Sequence, residues 1–304
     1  MLTSFKEIVD AAKLEGAKRL AIYFAEKKDM DLLSKAAGTG LIIPCLVGDG
    51  KAIEDMVKGA PLKSLEHEIV DERDPAKALR TAIGIIREGR ADILMQGANN
   101  HQALMAAITD AKGGLKKGRL MSYISVFQLP KQKKLSLVTD TFINNSPTLG
   151  EKQLILEHAI WLAGILGIDA PKVAALAAIE QINLNIPSTL DAAILSKMSE
   201  RKQFGKAVIE GPIDIDCALS EAAAARKGLR SMVTGNVDIY LVPEIDTGHL
   251  MAEALVFFGK LETAGVVMGT TNPVILHLPF ISAESRLVEI AIAVLMCQEG
   301  EKNA

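Results

Sequence analysis

The sequence predicts an α/β protein of two domains. Short β-branched runs alternate along the chain with amphipathic stretches at helical spacing, which is the rhythm of βαβ units. The 304 residues are long enough for two domains of ordinary size, which are favoured over one large α/β domain. A third observation is the stretch over 238–258, DIYLVPEIDTGHLMAEALVFF, which holds a strand, a loop and a helix in one short segment. Residues 238–242 are apolar and rich in β-branched and aromatic types, as a buried parallel strand requires. Pro243 cannot donate to a sheet ladder and ends the strand. Asp246, Thr247 and Gly248 then offer capping side chains and a glycine where the next helix begins. Leu250, Ala254, Leu255 and Phe258 recur at helical spacing and are expected to cover the sheet. Glu244, Asp246 and His249 fall at the strand's carboxyl end, where open parallel sheets bind ligands.

The preceding elements follow the same logic. Helices are expected over 5–14 and 30–37, with strands over 19–23 and 41–47. Gly48-Asp49-Gly50 reads as a plain turn, since it lacks both the full dinucleotide fingerprint and the lysine of a nucleotide loop. A strand over 67–71 precedes a helix over 76–88, whose Leu79, Ile83 and Ile86 share one face. The strand over 91–95 runs into Gln96-Gly97-Ala98-Asn99-Asn100-His101, a second candidate ligand loop. Lys112, Lys116, Lys117, Arg119, Lys131, Lys133 and Lys134 then enclose the apolar run 121–129. This basic segment reads either as two edge strands joined by a solvated turn or as cations that hold phosphate. A strand over 135–138 ends at Thr139-Asp140, a third polar loop.

A helix over 149–166 carries the single tryptophan, Trp161, and is suited to linking two domains. Strands over 173–178, 207–210 and 265–269 and helices over 190–201 and 217–227 continue the alternation, with a further short strand over 274–277 and a closing helix over 283–296. Asp214 and Asp216, in the loop before 217, either cap that helix or meet a ligand.

Apolar residues are 49% and charged residues 23%, which excludes a disordered chain. The formal charge of −3 gives no general attraction to nucleic acid or anionic membrane, so an anionic ligand must be held locally. No uninterrupted apolar run approaches the ~20 residues of a membrane span, and a cytoplasmic protein is expected. Cys45, Cys217 and Cys297 are scattered, with no CxxC pair, and suggest buried thiols rather than disulfides or a cysteine zinc site. His101, His249 and His277 all fall on candidate loops, whereas His67 and His158 read as structural.

Several blocks carry a resemblance: ADILMQG before a helix, KKGRLMSYISVFQLP, LSLVTDTFINNSPTL, STLDAAILSKM, IEGPIDIDCALSEAAAARKG, NVDIYLVPEIDTGHLMAEALVFFGKLETAGVVMG and the stretch from TNP to SAES. In order and spacing they resemble the phosphate acetyl/butyryl transferase family, and most of all its butyryl branch. The resemblance implies two α/β domains of the isocitrate/isopropylmalate dehydrogenase-like type with a cleft between them, residues 1–140 plus 272–304 and residues 141–271. It also implies a homodimer in which an acyl group moves between coenzyme A and inorganic phosphate. Coenzyme A is a substrate there, with no permanently bound cofactor and no metal. By this resemblance Asp140, Asp216 and His249 are expected at catalytic positions, and Gly97, Asn100, His101, Arg119, Thr139, Asp246, Asn272 and His277 at substrate-binding positions.

The chemistry makes its own demands. A phosphate oxygen attacks a thioester carbonyl, so cations must hold the phosphate, a donor must stabilise the oxyanion, and the departing thiolate must be managed. Arg119, Asp140 and Asp216 match the family pattern. His277-Leu278-Pro279 stands where the family has a serine-arginine pair, Met105 where a related helix has an arginine, Gln96 where the butyryl branch has a lysine, and His249 where asparagine is usual. Slow transfer is therefore expected. Two alternatives stay open: an acyl-CoA-binding protein that has lost transfer, and a metal-dependent enzyme built on His101, His249 and His277.

Overall fold

The computed structural model describes residues 1–97, 100–129 and 133–302, with side chains through 298. Ala98 and Asn99 of the second candidate loop and Lys131 of the basic segment lie outside the described residues. The chain forms two compact units, Phe5–Arg119 with Ala264–Ala304 and Met1–Ser4 with Leu120–Thr263. The sequence placed the crossings at 140/141 and 271/272 instead.

The first unit runs α1 (Phe5–Leu14), β1 (Lys18–Tyr23), α2 (Lys27–Gly38), β2 (Ile42–Gly48), α3 (Gly50–Lys58), β3 (Glu68–Asp71), α4 (Pro75–Arg87), β4 (Ile93–Gln96) and α5 (His101–Thr109). β2 pairs in parallel with β3 and β1, and β1 with β4. Helix α3 is an addition to the sequence reading. Asp49 accepts the Ala52 N–H at 3.2 Å as its N-cap, so Gly48-Asp49-Gly50 is a strand-to-helix junction and not a plain turn.

The second unit continues with β5 (Ser122–Leu129), β6 (Lys134–Thr139), α6 (Leu149–Ile165), β7 (Lys172–Leu176), α7 (Pro187–Glu200), β8 (Val208–Ile213), α8 (Ile215–Leu219), α9 (Glu221–Arg226), β9 (Ile239–Leu241) and α10 (Ile245–Phe257). Its strand order is β5-β6-β9-β7-β8, parallel but for the β5/β6 hairpin. The hairpin belongs to this unit because β6 lies between β5 and β9. For the same reason β6 is no edge strand, and all six of its residues are buried. A buried ion pair explains how a lysine begins it. Lys134 Nζ donates to Asp238 Oδ1 at 2.7 Å and to the Val237 carbonyl at 2.8 Å, and Asp238 also accepts the Lys172 N–H at 2.9 Å. Helix α6 packs within this unit instead of linking the two. The helix expected over 217–227 breaks at Ser220, which caps α9 by accepting the Ala223 N–H.

The chain returns to the first unit through β10 (Thr263–Met268), β11 (Val274–Ile275) and α11 (Ala283–Lys302). β11 pairs parallel to β4 and antiparallel to β10. Arg286 of α11 donates to the fully buried Asp29 of α2 at 2.9 Å, which pins the returning segment.

Helix α10 overturns one expectation. Its buried residues are Gly248 and Ala252, whereas Leu250 is 65% and Phe258 89% exposed. The helix is apolar around most of its circumference, so spacing alone does not select a face. Backbone approach selects it. A Cβ on Gly248 would stand 2.4 Å from the Asp140 carbonyl oxygen, and only glycine allows that contact.

Candidate functional site

In the second unit the strands β7, β8 and β9 all end at one cavity of about 890 Å³. Lys152, Asp191, Asp214, Glu244, Thr247 and Met251 are among the residues that line it. The size and the mix of apolar wall and convergent polar groups suit a small-molecule ligand. Lys152 and Asp191 form a 2.7 Å ion pair from α6 to α7. Glu244 is the N-cap residue of α10, and Asp246 is exposed in its first turn, so Asp246 does not cap the helix as the sequence suggested.

Thr139 and Asp140 sit at the carboxyl end of β6, both buried. The Asp140 carboxylate accepts the Phe142 N–H at 2.8 Å, the Ile143 N–H at 3.0 Å, the Asn144 N–H at 3.3 Å and the Asn144 side-chain amide. Burial pushes its pKa up against these donors. Thr139 Oγ1 donates to the Tyr123 carbonyl at 3.3 Å. The Asp140 side chain thus braces the loop that Gly248 packs against, and Thr139 ties the end of β6 to β5. His249 follows on α10, half-exposed, with its ring 5.8 Å from that of Phe142 and its Nε2 3.6 Å from Glu253.

Asp214, and not Asp216, caps α8 by accepting the Cys217 N–H at 3.2 Å. Asp216 is exposed two residues on, in the first turn of α8, and its carboxylate meets Lys227 Nζ at 2.9 Å. The same ammonium contacts Glu180 at 2.6 Å and Asp214. Cys217 is buried beside them, and burial pushes its thiol up to about 12. Lys152, Glu180, Asp191 and Lys227 went unremarked in the sequence, because their partners are 39, 47 and 11 residues away and no spacing rule reaches that far.

The first unit gathers a different set at the ends of β4 and β11. A Cβ on Gly97 would lie 2.5 Å from the Tyr23 carbonyl oxygen, so glycine is needed where β4 leaves the sheet. Asn100 caps α5 by accepting the Ala103 N–H at 3.1 Å. His101 opens that helix and is hydrogen-bonded to the backbone of His277. The fully buried Gln96 accepts the His277 N–H at 3.0 Å, so the residue standing for a lysine ties the two loops together. Burial lowers the pKa of both histidines, aided at His277 by Arg286 and Lys28. Asn272 donates to the Asp92 carbonyl at 3.2 Å, and Leu278 is 2% exposed. Arg119 is exposed at the end of the segment in which the Lys117 N–H meets the Gly269 carbonyl. His101 and His277 are therefore neighbours in one unit, and His249 belongs to the other.

Residues 26–294 match the family described as Phosphate acetyl/butaryl transferase. The chain belongs to that family. Among relatives of this transferase-family chain, a phosphate butyryltransferase of Clostridium acetobutylicum is 36% identical, over 97% of this chain and 99% of its own length. A phosphate acetyltransferase of Rhizobium meliloti is 33% identical, over 96% and 93%. Among solved structures, a branched-chain phosphotransacylase from Enterococcus faecalis superposes with a TM-score of 0.80 at 27% identity, covering 92% of this chain and 99% of that one. A 4-hydroxythreonine-4-phosphate dehydrogenase from Klebsiella pneumoniae, at 15% identity, gives a TM-score of 0.52 over 93% and 100%, which shows the dehydrogenase-like α/β fold alone.

Proposed function

We propose that this chain moves an acyl group, butyryl or similarly short, between the sulfur of coenzyme A and inorganic phosphate. The observation that carries this reading is the family match over 26–294, joined to butyryltransferase relatives aligned over nearly the whole length. Each compact unit acts as a domain, coenzyme A is a substrate and not a resident cofactor, and the working form is a cytoplasmic homodimer.

In the step itself a phosphate oxygen attacks the thioester carbonyl, the carbon–sulfur bond breaks, and the thiolate leaves to take a proton. Arg119 holds an anionic group of a substrate. Thr139 and Asp140 keep the 139–144 loop in shape, and Asp216 and His249 act at the reacting centre, where proton transfer to or from sulfur is required. Gly97, Asn100, His101, Asp246, Asn272 and His277 shape the loops around the substrates.

Transfer is slow in this reading, because Leu278 is buried and apolar where the family places part of its serine-arginine pair. Losing one preorganised donor lowers the rate by roughly 100- to 1,000-fold. The second reading, an acyl-CoA-binding protein without transfer, rests on the same buried leucine. The metal reading has less support, since among the described residues the side chains close enough together to hold an ion are Glu180, Asp214, Asp216 and Cys217, and none of the three histidines is with them.

Assays with acetyl-, butyryl- and branched-chain acyl-CoA at saturating phosphate test all of this. Turnover below the usual range of about 1–1,000 per second is expected; turnover within it would show that other groups hold the phosphate. The double change Leu278→Ser with Pro279→Arg should raise a slow rate. Arg119→Ala should weaken coenzyme A binding by roughly 10- to 100-fold, and unchanged affinity would remove Arg119 from the site. Binding of coenzyme A with no transfer in any variant would favour the second reading.

A further inference from the structure

Lys227 has no part in the proposed reaction, although it stands at the centre of a charge cluster. It is the C-cap of α9, and its ammonium meets Glu180 at 2.6 Å, Asp216 at 2.9 Å and Asp214. An ammonium has three N–H donors, and three carboxylates take them, so none remains to grip a phosphate. Glu180 comes from the segment after β7, Asp214 caps α8, and Asp216 lies in the first turn of α8. One side chain therefore ties two strand-end segments together.

The burial of the partners says which of them is being held. Glu180 and Asp214 have side chains 17% and 18% exposed, against 53% for Asp216. The two sheltered carboxylates anchor the ammonium, and the ammonium holds the exposed one. Without it, Asp216 on a helix of five residues is free to rotate into water. Oxygens of the three carboxylates and the Cys217 sulfur lie within 4.8 Å of one another, crowding that calls for a cation, and Lys227 supplies one from the chain.

We infer that Lys227 is a positioning residue whose ammonium holds the Asp216 carboxylate in place at the carboxyl end of β8. The inference rests on Asp216 acting in the acyl transfer proposed above. Lys227 touches no substrate; it sets where Asp216 stands.

The test compares wild type with Lys227→Met, which removes the charge, and Lys227→Arg, which keeps it. The methionine variant should lose about 100-fold in kcat, the scale of a misplaced catalytic group, with KM for acyl-CoA unchanged. Its acid limb should move to higher pH, because Glu180 and Asp214, which anchor the cluster, hold their protons longer once the cation is gone. Arginine should restore most of kcat and the wild-type limb. Wild-type kcat and pH profile in the methionine variant would overturn the inference. So would equal losses in both variants with an unmoved limb.

A second measurement does not depend on activity. The hydrogen bond from Lys227 lowers the pKa of Glu180, and at Asp214 burial pushes the pKa up but is outweighed by hydrogen bonding that includes the bond from Lys227. Both groups are depressed in the folded chain, so their stabilisation is present above the unfolded value near 4 and is lost as pH falls through the folded one. The Tm gap between wild type and Lys227→Met should be full at neutral pH and close in acid. A gap independent of pH overturns the clamp. Absence of transfer in the wild type, with a gap that does close, sinks the functional reading alone. Should Lys227→Met fail to fold, Glu180→Gln removes one anchor and should give a smaller loss of kcat in the same direction; an unchanged kcat would overturn the inference.

Discussion

Glycine at 97 and 248 shows how much a single missing Cβ does in this chain. Each lies against a carbonyl oxygen that a methyl group would overlap, at 2.5 Å and 2.4 Å respectively. Gly248→Ala should therefore destabilise the protein by about 1–3 kcal/mol or more, the usual cost of overpacking, and disturb the 139–144 loop. Denaturant unfolding measures the first effect; a normal midpoint would mean that α10 shifts without penalty. The histidines give a pH prediction. Burial lowers the pKa of His101, His158 and His277, so the folded chain binds fewer protons than the unfolded one just below the unfolded value of about 6.5. Stability should fall as pH drops through that value. His158, bonded to Ser122 Oγ at 2.8 Å, contributes to the slope, and His158→Gln should flatten it in Tm measurements between pH 5 and 8.

Among elements, β6 departs furthest from its sequence. Its leading lysine and the cluster of cations before it read as a solvated edge, but the strand is interior and the lysine is buried with Asp238. Side-chain exposures of 10% and 12% place the pair out of water, where breaking it by removing one partner costs about 3–5 kcal/mol. Lys134→Met and Asp238→Asn should each show a loss of that order, and the double change to apolar residues should recover much of it; thermal and denaturant unfolding decide. Elements with one clear stripe were legible: α1 has the predicted ends, and α4 buries the predicted Leu79, Ile83 and Ile86. Elements apolar on several sides were not. The stripe proposed for α10 is largely exposed, because periodicity reports a helix but not which side another segment approaches.

For the whole molecule, the exposed apolar surface of the second unit bears on assembly. Phe257 and Phe258 are 55% and 89% exposed at the end of α10. A second copy of the chain would remove them from water, as a two-fold interface does. Light scattering at micromolar concentration should give twice the mass of one chain, and Phe258→Asp should shift the balance toward a single chain; a monomeric wild type would contradict the proposal.

The sequence by itself determined the α/β class, the family, the loops at the strand ends and the glycines those loops need. All of these depend on local spacing or on residue types in a fixed order. Tertiary structure alone decided that Gln96 ties the His277 loop to β4 and that Lys227 gathers three carboxylates from two segments. These contacts join residues 11 to 181 positions apart, and each is made only when folding brings separate segments together.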